Sequence, residues 1–150
     1  MAELITALPE QLFSDLQKEK FLLLNTIDFE SGSPSVNAIS WVYAKDPETI
    51  RFALDSRSRV VSNIRQQPSI TLSYVGAGSV HAIYGSASVL TDALEGVPFK
   101  LTCIDVKIEA VRDAMFYGAR ISVEPEYEKT YDKRAAEKLD GQVFNAMKKA

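Results

Sequence analysis

The stretch from Thr49 to Pro68, TIRFALDSRSRVVSNIRQQP, decides how this chain folds. Ile50, Phe52 and Leu54 alternate with Thr49, Arg51 and Ala53, the period-two pattern of a half-buried strand, which should end at Asp55. Ser56, Arg57, Ser58 and Arg59 follow, two hydroxyls and two guanidiniums in four residues. Behind them Val60, Val61 and Ile64 form the apolar stripe of a short helix stopped before Pro68. A strand that hands over to a helix through a cationic Ser/Arg turn is suited to holding a phosphate. The helix N-terminus offers unpartnered N–H groups and a partial positive charge, to which Arg57 and Arg59 can add forked bonds. Ser56 or Ser58 can cap the helix or bond the ligand. Two arginines at a strand end also suit a plain solvated turn, and the residues alone leave both readings open.

Outward from this stretch the pattern is mostly β. Pro9 to Lys18 predicts a helix with Leu12 and Leu16 on one face, lying across the rest as a lid. Lys20 to Asp28 predicts a first strand, and Glu30, Ser31, Gly32 and Ser33 a turn. Pro34 to Ala44 reads as one second strand, with Asn37, Ile39, Trp41 and Tyr43 facing away from Val36, Ala38, Ser40 and Val42. The turn Lys45-Asp46-Pro47-Glu48 makes a hairpin with the third strand. A fourth strand is predicted from Ser69 to Val75 and a fifth from Ser79 to Thr91, across the Gly76-Ala77-Gly78 turn.

From Thr102 to Val111, Thr102, Ile104, Val106, Ile108 and Ala110 alternate with Cys103, Asp105, Lys107 and Glu109, which predicts a strand with one wet face or one face in a polar subunit contact. Arg120 to Glu124 predicts a further short strand closed by Pro125. Asp132 is a plausible N-cap for a C-terminal helix running to Lys148 on Ala136, Leu139, Val143 and Met147. The fold class is therefore mainly β (α+β): six to seven antiparallel strands in a barrel, with short N-terminal, central and C-terminal helices.

Composition narrows the function. The chain of 150 residues fits a single domain spanning 1–150 and carries a net charge of −3, which argues against broad nucleic-acid binding. One cysteine excludes an intrachain disulfide, and with one histidine it makes a metal site improbable. No signal peptide or membrane span of ~18 apolar residues is visible, so a cytoplasmic protein without membrane contact is expected.

The run SRSRVVSNIRQQP, set between two strands, resembles the phosphate-binding segment of the pyridoxamine 5'-phosphate oxidase-like, FMN-binding split-barrel family. In that segment a Ser-Arg-Lys run opens a short helix that ends in an Asn-Pro or Asp-Pro dipeptide. Ser58 and Arg59 match that run, while Val60 stands where the Lys would be. The strand order matches over roughly residues 20 to 110, and the tail MFYGARISVEPEY is similar to that of small bacterial members.

The resemblance implies a split β-barrel homodimer with FMN between the subunits. Ser56, Arg57, Ser58 and Arg59 then hold the phosphate, and Asn37, Ser40 and Trp41 meet the ring. Backbone at Ala53 and Leu54 runs past the ribityl chain, and Ser79 and His81 approach the pyrimidine edge. Trp41 equally suits plain core packing, and His81 a strand surface. No catalytic side chain is assigned. The chain lacks the Arg-x-Trp-type segment of the vitamin B6 oxidases, so the implied activity is an FMN-dependent reductase or oxidase of another small molecule, with an electron donor such as NAD(P)H. The alternatives are a non-catalytic, stress-associated flavin carrier and a relative binding a deazaflavin or haem.

Overall fold

A computed structural model of the chain describes residues 4–150. Its elements run α1 (Glu10–Asp15), β1 (Leu22–Ile27), β2 (Pro34–Ile39), β3 (Val42–Asp46), β4 (Thr49–Asp55), α2 (Arg59–Gln66), β5 (Ser69–Gly76), β6 (Ser79–Thr91), β7 (Leu101–Asp113) and α3 (Lys133–Lys149). All pairings between these strands are antiparallel, in the order β2-β1-β5-β6-β7-β4-β3. β2 and β3 stand at opposite ends of that order, yet only Ser40 and Trp41 separate them. The sheet must therefore curl until its two edges meet at this bend. The result is a seven-stranded antiparallel split β-barrel.

That bend corrects the expectation of one strand from Pro34 to Ala44. Alternation reports only which way side chains face, and it cannot reveal that a strand changes partner. The first half of this stretch pairs with β1 through Leu22↔Ile39, the second with β4 through Val42↔Phe52. Arg120 to Glu124 forms no strand either. It is joined to the rest by a bond from Ile121 N to Gly78 O of the β5–β6 turn and one from the Tyr74 hydroxyl of β5 to Glu124 Oε1, with no strand pairing, and Val123 is exposed.

The barrel interior is filled by Leu22, Leu24, Ile50, Phe52, Leu72, Ile83, Ile104 and Val106, all fully buried. Each such side chain contributes roughly 1.5–3 kcal/mol of burial free energy. From α1 and its flanks, Leu8, Leu12 and Leu16 join this core, and Leu8 N and Leu16 O bond the β3–β4 hairpin, so the N-terminal segment does close over the barrel. Val60 and Ile64 insert from α2.

A second core lies outside the barrel wall. Val143, Ala146 and Met147 of α3 pack on Tyr43, Ala53, Leu101 and Cys103, with Trp41 and Phe144 at the margin. The face of β7 expected to be wet is thus dry at Cys103 and only partly open at Asp105; Lys107 and Glu109, beyond the helix, are exposed. One polar contact that ties α3 down is Arg51. Its Nε and Nη2 donate to Asp105 Oδ1 and Oδ2 at 2.6 and 3.0 Å, and its Nη1 donates to Met147 O at 2.7 Å.

Candidate functional site

The handover from β4 to α2 is built by short local bonds. Asp55 Oδ1 accepts the Arg57 backbone N–H at 2.8 Å, and Asp55 O accepts Ser58 N–H at 2.9 Å, which turns the chain at once. Ser58 then caps the helix, its Oγ accepting Val60 N–H at 3.2 Å. Ser56 N–H bonds Lys100 O, because the β4–β7 register sets Asp55 opposite Leu101. Arg57, 89% exposed, folds back on Asp55, whose carboxyl it holds below the usual carboxylate range.

Arg59 points the other way. Its Nε and Nη2 donate to Asp28 Oδ1 and Oδ2 at 2.6 and 3.1 Å, its Nη2 also reaches Glu30 Oε1 at 2.9 Å, and its guanidinium lies 4.6 Å from the Phe29 ring centre. The Arg59 bond, followed by the Ser31 N–H, holds the Asp28 carboxyl far below its ordinary value.

Beside this turn is a cleft of about 240 Å³, lined by residues 38–41 of the β2–β3 bend and by Ala53, Leu54 and Asp55 of β4. The bend and the strand are tied by Ala53 N–H to Trp41 O at 3.0 Å. Four predicted residues, Ser40, Trp41, Ala53 and Leu54, therefore share one cleft whose lining ends at Asp55, the residue before the turn that carries the other four, Ser56, Arg57, Ser58 and Arg59; those four do not line it. Trp41 is only partly available to a ligand, since its Nε1 donates to Asp140 of α3 at 2.8 Å. Asn37 lies on the exposed part of β2 and lines no part of this cleft.

Ser79 and His81 are elsewhere. β7 runs from Leu101, opposite Asp55, to Asp113, opposite His81, so the two groups stand at opposite ends of a 13-residue strand, on the order of 40 Å of strand path. Ser79 Oγ donates to Asp113 Oδ1 at 2.6 Å. His81 Nε2 meets Gly76 O at 3.0 Å; a carbonyl only accepts, so this nitrogen carries the proton, and the ring stacks on Tyr74.

Local sequence reading missed Asp28, Phe29, Glu30 and Lys100. Each reaches the turn through a pairing remote in sequence, and nothing in their own neighbourhoods signals it. A larger hollow, about 460 Å³, opens between β1, β5 and β6 near Asn25, Thr71 and Tyr84. No Lys or Arg lines it, so it offers an anion no cation.

Fold and site together define an antiparallel split barrel with a serine–arginine turn at the start of its central helix. The profile of the pyridoxamine 5'-phosphate oxidase family matches residues 8–113, and the chain belongs to that family, whose members are typically dimeric and flavin-binding. A candidate pyridoxamine 5'-phosphate oxidase of Lactobacillus delbrueckii superposes with a TM-score of 0.61 at 19% identity, covering 72% of this chain and 95% of that one. An F420 reductase gives 0.60 at 20% identity over 70% and 98%. HupZ of Group A Streptococcus gives 0.59 at 14% over 77% and 99%. At these identities the structures share the fold. No curated protein matches the chain in sequence. No helix among the described residues is long and apolar enough to cross a membrane.

Proposed function

We propose that the chain is an FMN-binding flavoprotein, an FMN-dependent oxidoreductase of a small molecule other than vitamin B6, working as a homodimer. The observation that carries this reading is that the cleft ends at Asp55, where the Ser56–Arg59 turn begins. An apolar floor made by Ala53, Leu54 and the Trp41 edge ends at Asp55, next in the chain to the Ser56–Arg59 turn and its helix N-terminus; Arg57 and Arg59, held here by Asp55 and by Asp28 with Glu30, would turn to the ligand to complete the succession that a flat ring, a polyol chain and a phosphate require. Bound there, the flavin would supply hydride or electron-pair transfer. The chain's part is to orient and enclose: Arg57 and Arg59 hold the ester end, Ser40 and the backbone of β4 line the middle, and Trp41 gives the ring an aromatic edge.

The residues present fit half of such a ligand. A cleft of about 240 Å³ is below the ~300 Å³ at which small-molecule pockets begin, and one wall is missing. A second copy supplies that wall on this reading, and it is also the way for Ser79 and His81 to reach the ring, since within one chain they lie a strand's length from the turn.

Among the described residues Asp55 is the sole carboxylate, amine or imidazole lining the cleft, which favours as second reading a flavin carrier with no turnover. Deazaflavin stays within the reading, as it too has a phosphate to anchor. Haem fits less well, because His81 Nε2 is already bonded to Gly76 O.

The experiment is spectroscopic titration with FMN and with riboflavin, in the native protein and in Arg59→Ala. Loss of FMN affinity by tenfold or more, with riboflavin little changed, is expected; equal losses for both would remove the phosphate assignment. NAD(P)H-dependent reduction of quinones or dyes separates enzyme from carrier.

A further inference from the structure

The guanidinium on which the proposed site depends already holds an anion. Asp28 takes the fork of Arg59 with both oxygens, the geometry that a guanidinium presents to a phosphate, and Glu30 takes what is left of Nη2. The carboxylate is the better-fixed partner. Asp28 Oδ2 accepts from Glu30 N, Ser31 N and Ser31 Oγ at 3.2, 2.9 and 3.0 Å, and its side chain is 15% exposed against 53% for Arg59.

The β1–β2 turn that carries it is fastened to α2 in turn. Asn63, 1% exposed, accepts Phe29 N–H at 2.9 Å and donates to Thr26 Oγ1 at 3.0 Å. The long arginine is therefore the part able to move. Around the turn Arg57 and Arg59 face Asp55, Asp28 and Glu30, one more negative charge than positive. A phosphate dianion entering next to Asp28 meets a like charge at close range, and the repulsion eases only when Arg59 leaves the carboxylates and turns to the ligand.

We propose that Asp28, seconded by Glu30, is a specificity-determining residue: an internal carboxylate that occupies the Arg59 fork, competes with the ligand's phosphate, and so sets how strongly the protein prefers a phosphorylated flavin over its unphosphorylated form. This rests on the flavin reading above for the ligand, but the competition itself concerns any phosphate at the turn.

Two measurements separate the inference from that reading. In the first, FMN and riboflavin affinities are compared in the native protein, Asp28→Asn, Glu30→Gln and the double variant Asp28→Asn/Arg59→Ala. Asp28→Asn should raise the preference for FMN over riboflavin roughly tenfold, Glu30→Gln by less, and the double variant should lose the gain. In the second, inorganic phosphate is added without flavin, and it should raise the melting temperature of Asp28→Asn more than that of the native protein.

An FMN preference that Arg59→Ala abolishes and neither Asp28→Asn nor Glu30→Gln alters overturns the inference and leaves the flavin reading standing. A phosphate-dependent gain in Asp28→Asn with no flavin bound by any variant does the reverse. If no variant binds flavin and phosphate gives Asp28→Asn no greater gain than the native protein, both end. If Asp28→Asn does not fold, Glu30→Gln, whose side chain is 63% exposed, decides by the same two measurements.

Discussion

The Arg51–Asp105 pair makes a prediction whose size can be worked out. Arg51 is 3% exposed and Asp105 21%, and the same guanidinium holds the end of α3 through Met147 O. The Asp105 hydrogen bond, the largest influence on Arg51, holds it in its charged form. Asp105→Asn leaves that charge beneath α3 with carbonyls, an amide and the Tyr43 hydroxyl around it, and no carboxylate. Breaking a buried ion pair from one side costs about 3–5 kcal/mol, and partial exposure of Asp105 puts this one at the low end, about 3 kcal/mol. That is a large share of the 5–15 kcal/mol typical of a domain.

Urea unfolding gives the free energy, and Trp41, the chain's single tryptophan, reports on α3 because its Nε1 is bonded to Asp140. Asp105→Asn should lower the midpoint accordingly and shift the Trp41 emission to the red at urea concentrations where the far-ultraviolet signal of the barrel persists. The double replacement Arg51→Met/Asp105→Leu, which removes both charges, should recover most of the stability. A cost below about 1 kcal/mol for Asp105→Asn, or a double variant as unstable as the single one, would refute the reasoning.

Three further outcomes are expected. Cys103 is fully buried under α3, and burial pushes its thiol up to about 11, so a thiol reagent at pH 8 should label it only after unfolding. The raised folded value means that this group's stabilising contribution is intact below pH 9 and lost as pH rises to about 11. The stability difference between native protein and Cys103→Ala should therefore narrow across that window by an amount of order 2 kcal/mol. A Cβ at Gly85 meets Lys107 O at 2.5 Å and Val106 Cγ1 at 2.6 Å where β6 changes register against β7, so Gly85→Ala should cost about 1–3 kcal/mol by denaturant melt.

What could be read from the chain was what neighbours in sequence decide. Ile50, Phe52 and Leu54 announced β4, Ser58 and Pro68 bounded α2, Asp132 capped α3, and the Gly76-Ala77-Gly78 turn separated β5 from β6 at the right place. Each rests on side-chain alternation, a cap or a backbone restriction, all acting within a few residues. Ser40, Trp41, Ala53 and Leu54, which the family resemblance puts forward as flavin contacts, line one cleft beside the serine–arginine turn, and that they hold a flavin is the proposal made above.

The tertiary structure alone decided where the Pro34 to Ala44 strand changes partner, because the bend at Ser40 and Trp41 exists to close the barrel and closure involves every strand. It alone placed α3 over Cys103 and Asp105, since a strand face shows no sign in sequence of the helix that later covers it. It alone brought Asp28 to Arg59, 31 residues away, and Lys100 to Ser56. These contacts have no local signature: they form when the sheet curls on itself, and burial of the whole core, not any short stretch, determines which surfaces then meet.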